Sequence, residues 1–238
     1  MRADASSVKV PPRSRTPKRP RQLELNFSTW GGARRNAGRK PEGARSNTPH
    51  RARPVHDERH PVHVTLRAAR RLPSLRKQTI FVALRRALAR TWREWFRVVQ
   101  FSVQTDHVHL IVEATDKVAL SRGMAGVSIR LARAINSVIH RKGNVFQDRY
   151  HCRALATPRE VRHGLVYVLL NFRKHLGRPP GIDPASSGFW FDGWKRPARS
   201  EPPGLLPDDA IPVQPSRTWL ARVGWRRHGL IAFHERPA

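Results

Sequence analysis

Asp106-His107-Val108-His109-Leu110-Ile111-Val112-Glu113 is the stretch on which the fold turns. Strand side chains alternate between two faces. Val108, Leu110 and Val112 therefore point into a core, and His107, His109, Ile111 and Glu113 point the other way. Two imidazoles side by side on one sheet face are half of a divalent-metal site, because neutral imidazole is a common metal ligand. The same pair also suits an ordinary polar strand face, so a second element has to separate the two readings.

Working outward, Val98 to Gln104 reads as a preceding strand with Val99, Phe101 and Val103 inward. A tight turn at Thr105-Asp106 makes the two an antiparallel hairpin. Upstream, His60 to Arg67 alternates Val62, Val64 and Leu66 with His63, Thr65 and Arg67, the pattern of a first strand. Pro73-Ser74 then opens a helix with Ser74 as its cap. Its apolar stripe is Phe81, Leu84, Leu88, Trp92 and Trp95, and its cationic face, Arg85, Arg86, Arg90 and Arg93, is either solvated or a phosphate contact.

Downstream, Lys117 to about His140 forms a second helix with Leu120, Met124, Val127, Leu131, Ile135 and Val138 as its core stripe. Val145 to Leu155 is a fourth strand carrying Gln147, Arg149, Tyr150 and His151. Thr157-Pro158-Arg159-Glu160 has the cap, the proline and the glutamate of a capping box. The third helix it starts runs to about His175 and buries Val161, Leu165, Val168 and Phe172. The order is that of an α+β, ferredoxin-like βαββαβ sandwich with an extra C-terminal helix. An unrelated α+β sheet of four strands is the alternative.

On that third helix Tyr167 lies off the buried stripe, and Asn171, four residues on, shares its face; His163 and Lys174 are nearby. This is the second element the histidines require. Two imidazoles and an amide oxygen suit Mg²⁺ or Mn²⁺ with positions left for phosphate oxygens and water. Such an ion polarises a scissile phosphate. Tyr167 is the candidate nucleophile; its unperturbed pKa of about 10 means that it needs help in ionising. Tyr150, the only other tyrosine, is placed to stack on a base and is the weaker candidate nucleophile.

The 238 residues allow one domain with long appendages or two small ones. Lys and Arg number 46 against 17 Asp and Glu, a formal charge of +29, which attracts polyanions and makes nucleic acid the leading partner. Cys152 is the sole cysteine, which excludes an internal disulfide and a cysteine-rich zinc module. No apolar run approaches a membrane span and no hydrophobic signal core opens the chain, so the expectation is a soluble, cytoplasmic protein that needs no membrane. Residues 1–58 read as a basic, largely disordered arm, with Trp30, Arg34, Arg35, Arg39 and Lys40 set for nucleic-acid contact around Gly31, Gly32 and Gly38. Residues 59–176 form the catalytic domain. Residues 177–238 are a Pro-rich and Trp/Arg-rich extension in which Phe189 to Trp194 packs as an ordered patch and Trp219 to Phe233 forms a small helix-turn unit, either docked or touching DNA.

Residues 60–175 resemble the HUH-type single-tyrosine transposases, the REP-associated tyrosine transposases of bacteria in particular. The resemblance is carried by His63-Val64-Thr65-Leu66-Arg67, His107-Val108-His109-Leu110, Leu120-Ser121-Arg122-Gly123-Met124, Phe146-Gln147-Asp148-Arg149-Tyr150 and the helix with Tyr167 and Asn171. It implies His107, His109 and Asn171 as metal ligands, Tyr167 as nucleophile, and cleavage of single-stranded DNA near a hairpin with a 5′-phosphotyrosine and a free 3′-OH. Gln104-Thr105-Asp106 stands where the family usually has Met-Pro-Asn, and Phe172 where it usually has Pro. The expected partners are single-stranded or hairpin DNA, contacted also by Arg149, Tyr150 and Lys174; monomer and homodimer are both left open. Competing readings are a domesticated hairpin-binding protein without strand transfer, and a replication-initiator or relaxase nuclease.

Overall fold

The computed structural model describes residues 55–172, 181–196 and 209–237. Its elements run β1 (Val62–Arg67), α1 (Gln78–Ala89), β2 (Phe96–Val103), β3 (His107–Ala114), α2 (Lys117–Val138), β4 (His151–Ala154) and α3 (Pro158–Leu170). The strands form one four-stranded sheet in the order β2-β3-β1-β4. Every neighbouring pair is antiparallel. The result is a mixed α and β fold with helices on both faces of the sheet.

The alternation expected of β3 sorts the molecule into two cores. Val108, Leu110 and Val112 join Leu84 and Leu88 of α1 and Met124, Leu131 and Ile135 of α2 in the first core. Ile111, from the opposite face, joins Leu165, Val168 and Leu169 of α3 in the second. The histidines of β3 therefore stand on the α3 side.

β2 departs from simple alternation. The register slips between Val98 and Gln100, so Val99 is the extra residue of a bulge. Val98, Phe101 and Val103 face the first core, while Val99, expected to lie with Phe101 and Val103, goes to the second. Gln100 follows it there and accepts a hydrogen bond from Ser187 Oγ at 2.5 Å.

Four further expectations need correction. α1 starts at Gln78 after Lys77, which makes no side-chain cap. Ser74 instead belongs to a turn held by Leu75 N–H donating to Thr105 O at 2.9 Å and by the Arg76 pair with Asp183 at 2.5 Å. At the other end α1 stops at Ala89, where Thr91 N–H and Oγ1 both turn back to Leu88 O, so Trp92 and Trp95 lie outside the helix and stay 47% and 37% exposed. Arg85, placed on the cationic face, is buried and pairs with Asp209 at 2.9 Å. The fourth strand shrinks to His151–Ala154, since only Phe146 of the preceding run makes a bridge, to Ala68.

α3 begins as its sequence dictates. Thr157 Oγ1 accepts from Glu160 N–H at 3.2 Å, and the Glu160 carboxylate accepts from Thr157 N–H at 3.2 Å. Both orphan amides at the helix start are thereby satisfied. Thr157→Ala is expected to cost about 1 kcal/mol, read as a lower midpoint in urea unfolding with an unchanged slope.

The C-terminal segments close the second core over α3. Trp225, 1% exposed, stacks on Phe191 with centroids 5.6 Å apart and donates Nε1–H to Ala221 O at 2.9 Å. A Cβ on Gly193 would sit 2.3 Å from the Trp225 ring, so the close approach requires glycine there. Glu113, the last polar residue of the α3-facing side of β3, accepts from Arg217 N–H at 2.7 Å, Thr218 N–H at 3.0 Å and Thr218 Oγ1–H at 2.8 Å. The docked arrangement of Trp219 to Phe233 follows from these contacts. No described helix is long and apolar enough to cross a membrane.

Candidate active site

β3 sets His107 at its first residue and His109 two further on, with ring centroids 4.6 Å apart. His107 is only partly covered, while His109 is 3% exposed. Each imidazole is held by its Nδ1. His107 Nδ1–H donates to Asp106 Oδ1 at 2.7 Å. That bond, with burial opposing and nearby charge assisting, holds the Asp106 carboxyl below the usual carboxylate range. His109 Nδ1 lies 3.1 Å from Thr65 Oγ1 and 3.3 Å from His63 Nε2. A proton on Nδ1 donated to Thr65 makes Nε2 of His109 the acceptor nitrogen, the one that faces Asn171.

α3 supplies the rest. Its final turn passes over the sheet so that Tyr167 meets the histidine rings edge-on, 5.0 Å from His109 and 5.4 Å from His63 between centroids. Asn171, the residue after the helix, is fully buried and places Nδ2 3.3 Å from His109 Nε2. Its Oδ1 is buried without a hydrogen-bond partner. An orphaned amide oxygen costs about 1–3 kcal/mol of desolvation, so it is a feature that a cation would relieve. Two imidazoles and one amide oxygen also match the donor set expected for a divalent ion with open positions. Among the described residues no cluster of three or more His, Cys, Asp or Glu side chains is placed to hold a metal. The candidate set here differs in kind, its third donor being an amide.

Of the residues singled out from sequence, His107, His109, Tyr167 and Asn171 come together. His163 is exposed on α3 and Arg149 is exposed ahead of β4. Tyr150 packs against the first core, on the sheet face away from Tyr167. Trp30, Arg34, Arg35, Arg39, Lys40 and Lys174 lie outside the described residues. Sequence reasoning missed Asp106, Thr65 and His63 as partners of the pair. Alternation had already put His63 and Thr65 on one face of β1, but their relevance depends on cross-strand register, which pairs Thr65 with His109. Burial, with the nearby charges of Arg153 and His151, pushes His63 down to about 4. It is therefore neutral near pH 7 and adds no positive charge beside the donors.

Comparison with known families decides the relationship. Residues 57–161 match the family model described as Transposase IS200 like. That stretch is similar to the IS200-like transposases. The matched span holds His63, Thr65, His107 and His109 and ends at Val161, ahead of Tyr167 and Asn171. No curated protein matches the chain. Among solved structures, one described as the REP-associated tyrosine transposase bound to a REP hairpin is similar, with 19% identity, coverage of 56% of this chain and 78% of that one, and a TM-score of 0.47.

Proposed function

We propose that this protein cleaves and rejoins single-stranded DNA at hairpin-associated sites, with Tyr167 as nucleophile. The observation that carries the reading is the meeting of the two α3 side chains with His109: the Tyr167 ring 5.0 Å away, the Asn171 amide 3.3 Å from Nε2. The order β2-β3-β1-β4, with α1 and α2 on one face and α3 on the other, supports a ferredoxin-like sandwich extended by a catalytic helix. Residues 59–176 are read as the catalytic unit, flanked by the arm 1–58 and the extension 177–238.

In the step proposed, the Tyr167 oxygen attacks phosphorus and the bond to the 3′-oxygen breaks. The phenolic proton is lost and the departing 3′-oxygen takes one up, so a phosphodiester is exchanged for a phosphodiester and the reverse step needs no ATP. His107, His109 and Asn171 would hold Mg²⁺ or Mn²⁺, which when bound polarises the scissile phosphate and stabilises the charge developing on it. Asp106 fixes His107, and Thr65 fixes His109, in the tautomer that keeps Nε2 for binding. His63 closes the apolar side of the site as a neutral ring. Arg149, Tyr150, Lys174 and the arm residues Trp30, Arg34, Arg35, Arg39 and Lys40 are assigned to DNA contact.

The test is a covalent adduct on a hairpin-bearing single-stranded oligonucleotide, resolved on a denaturing gel with and without Mn²⁺. Hairpin binding without adduct or nicking under any metal would replace this reading with that of a domesticated DNA-binding protein. Thr65→Val, which removes only the hydroxyl partner of His109, is expected to weaken Mn²⁺ binding about tenfold, measured by calorimetric titration.

A further inference from the structure

The first core presents its outer surface on the side of the sheet away from Tyr167. There α1 and α2 leave a groove of about 480 Å³ between them. Its floor is small and apolar, with Ala83, Ala87 and Ala134, and its walls carry Arg86 of α1, Arg90 just past the end of α1, and Arg130 and Arg133 from α2. No Asp or Glu is among its lining residues. Arg86 Nε is met by Asp209 at 2.8 Å, but Arg90, Arg130 and Arg133 make no ion pair with another described residue.

The spacing is unfavourable for isolated helices. Arg86 and Arg90 are four apart and Arg130 and Arg133 three apart, so like charges are neighbours on each helix, and the helices bring the two pairs together. A concave, low-dielectric floor between walls of one sign focuses potential. Alanines at the bottom let an extended polymer lie deep enough to touch both walls. Of the four cations first placed on α1, the structure thus withdraws Arg85 into the core and recruits two arginines of α2 to the other side of Arg90.

We infer that this groove binds a phosphodiester strand of DNA, at a part of the substrate that is not cut. It rests on the proposed function only in naming DNA as the polyanion. Contacts distant from the reacting phosphate supply binding energy and register to the step at Tyr167.

The experiment uses the full chain with Tyr167→Phe, so that binding is read without cleavage. Affinity for a labelled hairpin oligonucleotide with an unpaired tail is measured across a series of KCl concentrations. In the triple variant Arg90→Gln, Arg130→Gln, Arg133→Gln, the slope of log affinity against log salt is expected to flatten by about 2–3, since each lost duplex phosphate contact contributes about 0.9. Affinity at low salt should fall about tenfold or more, and the corresponding triple lysine variant should recover the slope. A second triple, Arg70→Gln, Arg159→Gln, Arg222→Gln, removes the same charge from exposed positions elsewhere and is expected to keep the wild-type slope. Equal flattening in both glutamine triples, or in neither, overturns the groove. Repeating the series with a tailless stem and with a stemless tail identifies the occupant: a loss confined to one of them supports the groove and names which strand lies in it. Absence of any covalent adduct with wild-type protein would sink the proposed function and leave these slopes interpretable.

Discussion

Tyr167→Phe is expected to abolish the covalent protein–DNA adduct, lowering its rate of formation by about 10³-fold or more, because the other tyrosine, Tyr150, packs against the first core on the opposite side of the sheet. The ring stays and only the oxygen goes. Its edge contacts, 5.0 Å to His109 and 5.4 Å to His63, involve the ring and survive. The variant should therefore fold within about 0.5 kcal/mol of wild type and bind hairpin DNA with unchanged affinity. That combination separates loss of chemistry from loss of structure. Tyr150 is the internal control: Tyr150→Phe leaves the adduct at wild-type level, since that ring packs against the first core on the other side of the sheet. An adduct that persists in Tyr167→Phe, or disappears in Tyr150→Phe, would sink the assignment of the nucleophile.

Why the geometry of the candidate site was so readable from sequence, and the flanks less so, has a physical basis. β3 has strict period-two alternation, and a one-residue slip would send its whole apolar set into water; so the face bearing His107 and His109 was fixed before any neighbour was known. α3 was equally legible because its capping box and 3.6-residue stripe agree, which put Tyr167 and Asn171 on one face. The failures share a different cause. Val99 changed sides through a bulge, which inserts one residue and leaves no mark in composition. Arg85 was grouped with a face either solvated or touching phosphate because helical periodicity treats every arginine on the polar side alike. Its carboxylate partner, Asp209, lies 124 residues away. Trp92 and Trp95 extended the α1 stripe by spacing, yet the chain had already turned at Thr91. His63 and Thr65 were in view as polar strand residues. What made them part of the site was the register that sets Thr65 opposite His109, a relation between strands rather than within one.

Asn171→Leu is expected to lower activity far more than stability. Among the described residues the buried Oδ1 of Asn171 has no hydrogen-bond partner, while Nδ2 approaches His109 Nε2 at 3.3 Å. Leucine ends the desolvation cost of that oxygen but also takes the Nδ2 contact from the buried His109 Nε2, so two effects of about 1–3 kcal/mol oppose each other. Leucine is close in volume, and Leu165, Val168 and Phe172 nearby in sequence belong to the second core. The apo variant should thus melt near apo wild type, in contrast to most buried substitutions. Metal reverses the comparison. Wild type should gain about 2.7 kcal/mol of stability at an ion concentration 100 times the dissociation constant, and the variant, with one of three ligands gone, should gain little. Adduct formation should fall about 100-fold or more, the scale set by loss of an interaction that serves the transition state. A melting temperature well below that of apo wild type would mean that Asn171 is structural. Full metal stabilisation in the variant would mean that the amide oxygen is not a ligand.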